Sequence, residues 1–126
     1  MVKLDHLMIA VSDWQASRDW YVRHFGFSIE FELAAGGLPG LGVAALQDDA
    51  GLSLFLEQRG QPILSGQSAY TLQVDDVEAT CDRLKSAGAR LVSPPSRQFW
   101  GYGAVAADPD GHLLYLYDAL SMAEKS

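Results

Sequence analysis

The first half of this chain is repeated in its second half. Val11-Ser12-Asp13, followed by Ala16-Ser17 and Asp19, lines up at a constant offset with Val74-Asp75-Asp76, Ala79-Thr80 and Asp82, and Gly51 to Leu56 matches Gly111 to Leu116 after a small drift. A repeat of this length means that one supersecondary unit is used twice, which fixes the architecture ahead of any single element. Each half is too small to bury both faces of a sheet alone, so two helix-backed sheets are expected to pack edge to edge and curl into a cup. The expectation is an α+β fold: two tandem βαβββ modules forming a curved, cup-like mixed β-sheet backed by helices. Residues 1–58 are read as the first module, 59–67 as a connector, 68–120 as the second module and 121–126 as a tail.

Local signals supply the elements. Lys3 to Val11 alternates as a buried strand, with Leu7, Ile9 and Val11 on one side and Leu4, His6, Met8 and Ala10 on the other. Ser12 or Asp13 caps a helix reaching Phe25, and Gly26 ends it. Trp14 and Trp20 are read as helix packing, and Ala16/Trp20 and Tyr21/Phe25 stand at i, i+4 spacing. Phe27 to Leu33 reads as a half-buried strand, 34–40 as a loop, and Leu41–Gln47 and Leu52–Glu57 as strands joined at Asp48-Asp49-Ala50-Gly51. The order then restarts with a strand to Val74, a helix capped by Asp76, and a strand from Ala89 to Val92 interrupted by Ser93-Pro94-Pro95-Ser96. The last pair, Phe99–Ala107 and His112–Tyr117, is joined by Asp108-Pro109-Asp110-Gly111, where Pro109 pre-sets φ for a tight turn. His24 and His112, at element edges, are expected in solvent.

Composition excludes several function classes. A net charge of −7 argues against nucleic acid, whose phosphates need a basic face, while an acidic surface suits a cationic small ligand. No apolar run approaches a membrane span and no basic-then-apolar leader opens the chain, so a cytoplasmic protein without membrane contact is expected. The single cysteine, Cys81, cannot form an internal disulfide, and its place on the apolar stripe of the second helix reads as a buried, inert thiol.

Leu4-Asp5-His6 at the first strand, Trp20-Tyr21 with Phe25-Gly26-Phe27, Gln73-Val74-Asp75-Asp76, Trp100-Gly101 and Asp108-Pro109-Asp110-Gly111 occur in order along essentially the whole chain. With these motifs the sequence resembles the vicinal oxygen chelate superfamily, which includes glyoxalase I, extradiol dioxygenases, fosfomycin resistance enzymes and bleomycin resistance proteins. The resemblance implies the cup fold. It also implies a site inside the cup, where metal-dependent members place His or Glu at equivalent points of both halves. Carried onto this chain, those points are His6, Leu54, Ala69 and Tyr115, and only one of them is a metal ligand. Glu57 is expected by strand parity to point out of the cup, although a one-residue slip would admit it.

A complete four-ligand zinc site is worth roughly 10 to 16 kcal/mol, so one imidazole would supply roughly 3 to 4 kcal/mol, a dissociation constant on the order of millimolar. No metal centre and no cofactor are therefore expected. The same substitutions leave a cup lined by His6, Met8, Leu54, Thr71, Gln73, Tyr115 and Tyr117, with Trp100 and Tyr102 near its mouth. That mixture of aromatic, apolar and a few polar groups is typical of small-molecule pockets. It resembles most the bleomycin-resistance branch, whose members are homodimers that sequester a drug.

Two functional readings follow. One is a metal-free homodimer that binds a planar aromatic or cationic molecule, with antibiotic sequestration as its use. The other is a glyoxalase-like lyase, isomerase or dioxygenase, either metal-dependent or using His6 with Tyr115 or Gln73 as acid and base. Each residue also has a plain structural reading: His6 as a satisfied core histidine, Tyr115 and Tyr117 as filling, and Trp100 as an interface anchor.

Overall fold

The computed structural model describes residues 1–34, 40–60 and 68–126. Its contacts divide the chain into two compact units, Met1–Leu64 and Ser65–Ser126. The expected loop at 34–40 and connector at 59–67 lie largely outside the described residues.

The first unit begins with strand β1, Leu7–Ala10, shorter than the expected strand. Helix α1, Trp14–Phe25, starts where Asp13 takes an extended conformation and its carboxylate accepts from the Gln15 and Ala16 amides, and it ends at Gly26. This cap satisfies N–H groups that a helix start leaves without partners. Strands β2 (Ser28–Ala34), β3 (Gly42–Gln47) and β4 (Ser53–Gln58) complete a four-stranded sheet in the order β1-β4-β3-β2. The β1–β4 pair is parallel and the other two pairs are antiparallel, so the sheet is mixed.

The second unit repeats this plan with β5 (Ala69–Gln73), α2 (Val77–Ser86), β6 (Arg90–Gln98), β7 (Gly101–Ala107) and β8 (Leu113–Tyr117), in the order β5-β8-β7-β6. Its capping residue, Asp76, accepts from the Ala79 amide. The duplicated turns agree in detail. Asp48 and Asp108 each accept two backbone N–H groups on one carboxylate oxygen, from Ala50 and Leu52 and from Asp110 and His112 respectively. In both turns the glycine three residues on donates its N–H back to the aspartate carbonyl. The fold is therefore α+β, with the two modules of the repeat each forming a four-stranded mixed sheet.

Strand alternation assigns the two faces of each sheet. In the first unit Ile9, Ala44, Leu46, Leu54 and Leu56 are buried on the side of α1, whose Trp14, Trp20 and Tyr21 are buried as expected. A Cβ on Gly42 would collide with the Trp14 indole, which marks that side as the helix side. In the second unit Ala104, Ala106, Leu114 and Leu116 meet the Val77, Cys81 and Leu84 stripe of α2. These apolar layers are the hydrophobic cores of the two units.

Several expectations are corrected. Residues 121–126, expected as a tail, fall almost wholly in a third helix, α3, Ala119–Lys125, capped by Asp118. Ser93-Pro94-Pro95-Ser96 does not break its strand: β6 runs through it as an edge strand with two register shifts, which accommodates prolines that cannot donate to a ladder. His24 and His112 are buried, not solvated; His112 closes the last turn by donating its N–H to the Asp108 carboxylate and accepting from the Asp108 N–H on its carbonyl. Ala16 is exposed and Ser17 takes its place on the buried face of α1. Ile29, Phe31 and Leu33, expected to be half-buried as a set, are 49%, 40% and 60% exposed, because β2 is an edge strand with a bulge between Ile29 and Phe31.

Candidate functional site

Each sheet has one face on its helix and one facing away, and the side chains suited to ligand contact gather on the far faces. In the first unit, pairing sets Met8 beside Phe55 and Ala10 beside Glu57, with Val43 and Ala45 opposite them on β3. The His6 ring lies flat on Phe55, centroids 3.7 Å apart and planes 13° from parallel, and Phe31 meets the same ring edge-on at 5.4 Å. His6 Nδ1 is 2.8 Å from Asp5 Oδ2. A carboxylate can only accept, so Nδ1 is the donor in this contact. The hydrogen bond from His6 also holds the Asp5 carboxyl below the ordinary carboxylate range. Glu57, on the same face, is paired with Arg59.

This pairing corrects the parity assigned to β4. Leu54 lies on the helix side, paired with Leu7 and buried, and both Phe55 and Glu57 occupy the far face. The repeat itself carried the signal, since Phe55 stands four residues after Gly51 just as Tyr115 stands four after Gly111.

The second unit presents a different surface. Thr71 pairs with Tyr115 and Gln73 with Tyr117, and Val105 lies on the other side of Tyr115. Ala69, Thr71 and Gln73 are exposed. Tyr117 donates its hydroxyl proton to Gln73 Oε1 at 3.1 Å, which orients both polar ends. Trp100 stacks on Tyr115 with centroids 5.7 Å apart and planes 21° from parallel, an offset arrangement favoured by ring quadrupoles. The indole can lie this close to the sheet because residue 103 is glycine: a Cβ there would come within 2.5 Å of Trp100 and would also overlap the Leu116 carbonyl. Nearby on β6, Gln98 donates from Nε2 to Ser93 and Ser96 at 2.9 and 3.1 Å.

Tyr102 does not join Trp100 on this face. Its parity is that of Ala104 and Ala106, and its hydroxyl donates to Glu78 of α2, which raises the phenol above its usual range. Only Gly101 stands between Trp100 and Tyr102, but Trp100 lies in the turn that joins β6 to β7, where strand alternation does not hold. The backbone flips at Gly101, φ 128°, as the chain leaves that turn, and Trp100 meets Tyr115 on the far face.

The donor set at the positions implied for a metal does not fit one. Phe55 takes the place assigned to Leu54, Ala69 has no donor, the Tyr115 ring is engaged by Trp100, and His6 is held by Asp5 and Phe55. Among the described residues no three His, Cys, Asp or Glu side chains are grouped to hold an ion, whereas stable sites gather three or four. Among the same residues no helix is long and apolar enough to cross a membrane.

The chain is thus of the duplicated βαβββ class, with aromatic and polar groups on the far faces of its sheets. It belongs to the Glyoxalase/Bleomycin resistance protein/Dioxygenase superfamily, whose family profile matches residues 3–116. Among solved structures it is similar to TnmS3, an antibiotic binding protein from a Streptomyces species, at 28% identity over 94% of this chain and 96% of that one, with a TM-score of 0.73. It is also similar to TioX from a Micromonospora species, at 26% identity over 88% and 95% of the two chains, with a TM-score of 0.67. The fosfomycin resistance protein FosX from Listeria monocytogenes, solved with Mn(II) and a dihydroxypropylphosphonic acid, shares the fold at a TM-score of 0.75 and 18% identity, covering 93% of this chain and 92% of that one. No curated protein sequence matches significantly.

Proposed function

We propose that this protein binds a planar aromatic or cationic small molecule without a metal, against the far face of its second module, and that it acts as a homodimer in the cytoplasm to sequester an antibiotic. The observation that carries the reading is the Trp100–Tyr115 stack laid over Gly103, flanked by the Tyr117–Gln73 hydrogen bond. Stacked aromatic surface contributes roughly 0.5 to 1.5 kcal/mol per ring beyond area burial, and the oriented amide and hydroxyl supply direction. Thr71, paired with Tyr115 on the same face, would add a contact. The similarity to TnmS3, an antibiotic binding protein, supports the choice of ligand class.

The test is a thermal-shift and calorimetric series with proflavine, a planar cation, and acridone, its neutral relative. Binding at 100 times the dissociation constant should stabilise the protein by about 2.7 kcal/mol, and Trp100→Ala should abolish most of that shift. Stoichiometric binding of nickel, zinc, manganese or iron(II) at micromolar affinity would overturn the metal-free reading, since one histidine supplies only about millimolar affinity. A second reading, acid–base catalysis, is favoured by the Asp5–His6 contact, which orients the imidazole. His6→Ala separates the two: a binder keeps most of its affinity, whereas an acid–base enzyme loses most of its turnover.

A further inference from the structure

We propose that the C-terminal helix α3 is the positioning element for Trp100, fixing the backbone flip at Gly101 that delivers the indole to the far face. The inference deepens the binding reading and rests on it for its functional meaning, but the structural arrangement stands by itself.

Three observations converge on Gly101 and Tyr102, and a fourth anchors the helix. A Cβ on Gly101 would overlap Met122 Sδ of α3 and come within 3.0 Å of Ser126 Oγ, so the helix is seated directly on the glycine through which the chain enters β7. The Tyr102 amide donates to Ser126 Oγ at 2.9 Å, a backbone contact one residue beyond the flip. Lys125 Nζ stands 5.0 Å over the Tyr102 ring and 3.7 Å from Glu78, the carboxylate that accepts from the Tyr102 hydroxyl. Finally, Asp118 holds α3 in place by accepting from Ser121 N of α3 and Val77 N of α2.

Gly101 has no Cβ and populates many backbone states, so its own sequence does not select φ 128°. Its surroundings select that state, and α3 joins the β6–β7 pairing in doing so. On the other side of the flip, the indole has a place to land only because Gly103 leaves room beside Tyr115. Met122 and Ser126 are therefore positioning residues: they act on Trp100 through Gly101 and Tyr102 and form no part of the proposed binding surface.

The experiment uses the full chain labelled with fluorotryptophan, with the Trp100 fluorine resonance assigned through Trp100→Phe, in the parent, in Ser126→Ala and in Met122→Ala/Ser126→Ala. The Trp100 signal should shift or broaden in the variants while those of Trp14 and Trp20, on α1, stay unchanged. Proflavine affinity should fall by up to about tenfold, the most that losing one aromatic stack removes. Lys125→Ala supplies a second, milder variant that leaves the Met122 seat intact and should perturb the Trp100 signal less than the double variant. An unchanged Trp100 resonance in folded Met122→Ala/Ser126→Ala protein would overturn the proposal. Because that readout needs no ligand, a parent protein that fails to bind proflavine would refute the binding reading alone and leave the positioning role to be judged on the resonance.

Discussion

Asp118 joins two helices that are adjacent to it in space but far apart in sequence, and its removal should be costly in a pH-dependent way. The residue is buried, and its carboxylate accepts from Val77 N at 2.7 Å, from Ser121 N at 2.6 Å and from Ser121 Oγ at 3.1 Å. In Asp118→Ala two backbone donors lose their acceptor within the protein. A lost cap costs about 0.5 to 2 kcal/mol and a buried donor left without a partner about 1 to 3 kcal/mol, which together give about 1.5 to 5 kcal/mol at neutral pH. For a domain of this size that lowers the melting temperature by about 10 °C. Asp118→Asn keeps one acceptor oxygen and should lose about half as much.

Burial alone would raise the Asp118 carboxyl, but the Val77 and Ser121 hydrogen bonds outweigh it and hold the pKa below the ordinary 3.8. A folded-state pKa below the unfolded value means the stabilisation is complete above about pH 4 and is lost as pH falls through the folded value. Urea denaturation of the parent and the Asn variant, at neutral pH and at about pH 3, should therefore show a stability gap that narrows on acidification. A gap that stays constant or widens at low pH would refute the assignment of a stabilising ionised carboxylate.

Three further outcomes are expected. Gly103→Ala should destabilise by about 1 to 3 kcal/mol in denaturant melts and shift Trp100 emission, and adding Trp100→Ala should restore only part of the loss because the Leu116 carbonyl still opposes the new methyl. Asp108→Ala should cost about 1 to 3 kcal/mol and Asp48→Ala less in the same assay, since the two turns share their hydrogen bonds but Asp108 is the buried one. Cys81 is buried, and desolvation, with Glu78 and Asp82 adding to it, pushes its thiol up to about 11. A neutral alkylating reagent should label it only in denaturant, as mass spectrometry of the native and unfolded protein would show.

Much of this fold was legible because the signals were local. Asp13 and Asp76 as caps, the paired aspartate turns and the apolar stripes of α1 and α2 each depend on a few neighbouring residues, and the repeat let each half check the other. The far faces were harder to read. Leu54 and Phe55 are both apolar, so hydrophobicity could not distinguish the strand's two sides, and a slip of one residue exchanges every side chain between faces. Trp100 lies in the turn before β7, beyond the reach of strand alternation, so the face it joins leaves no periodic trace. α3 was missed because its anchors, Asp118, Met122 and Ser126, find their partners on α2 and β7.

The shared ladder of the two modules makes each an internal reference for the other. Phe55 and Tyr115 occupy the same site in duplicate scaffolds, yet one faces an imidazole and the other an indole. The side chains that stabilise the sheets lie on the helix side, and those that differ most between the copies lie on the far side. Exchanging far-face residues between equivalent sites should therefore transplant recognition from one copy to the other with little change in folding. The duplication thus separates a conserved mechanical layer from a variable chemical one, and a single chain has two surfaces free to acquire different specificities.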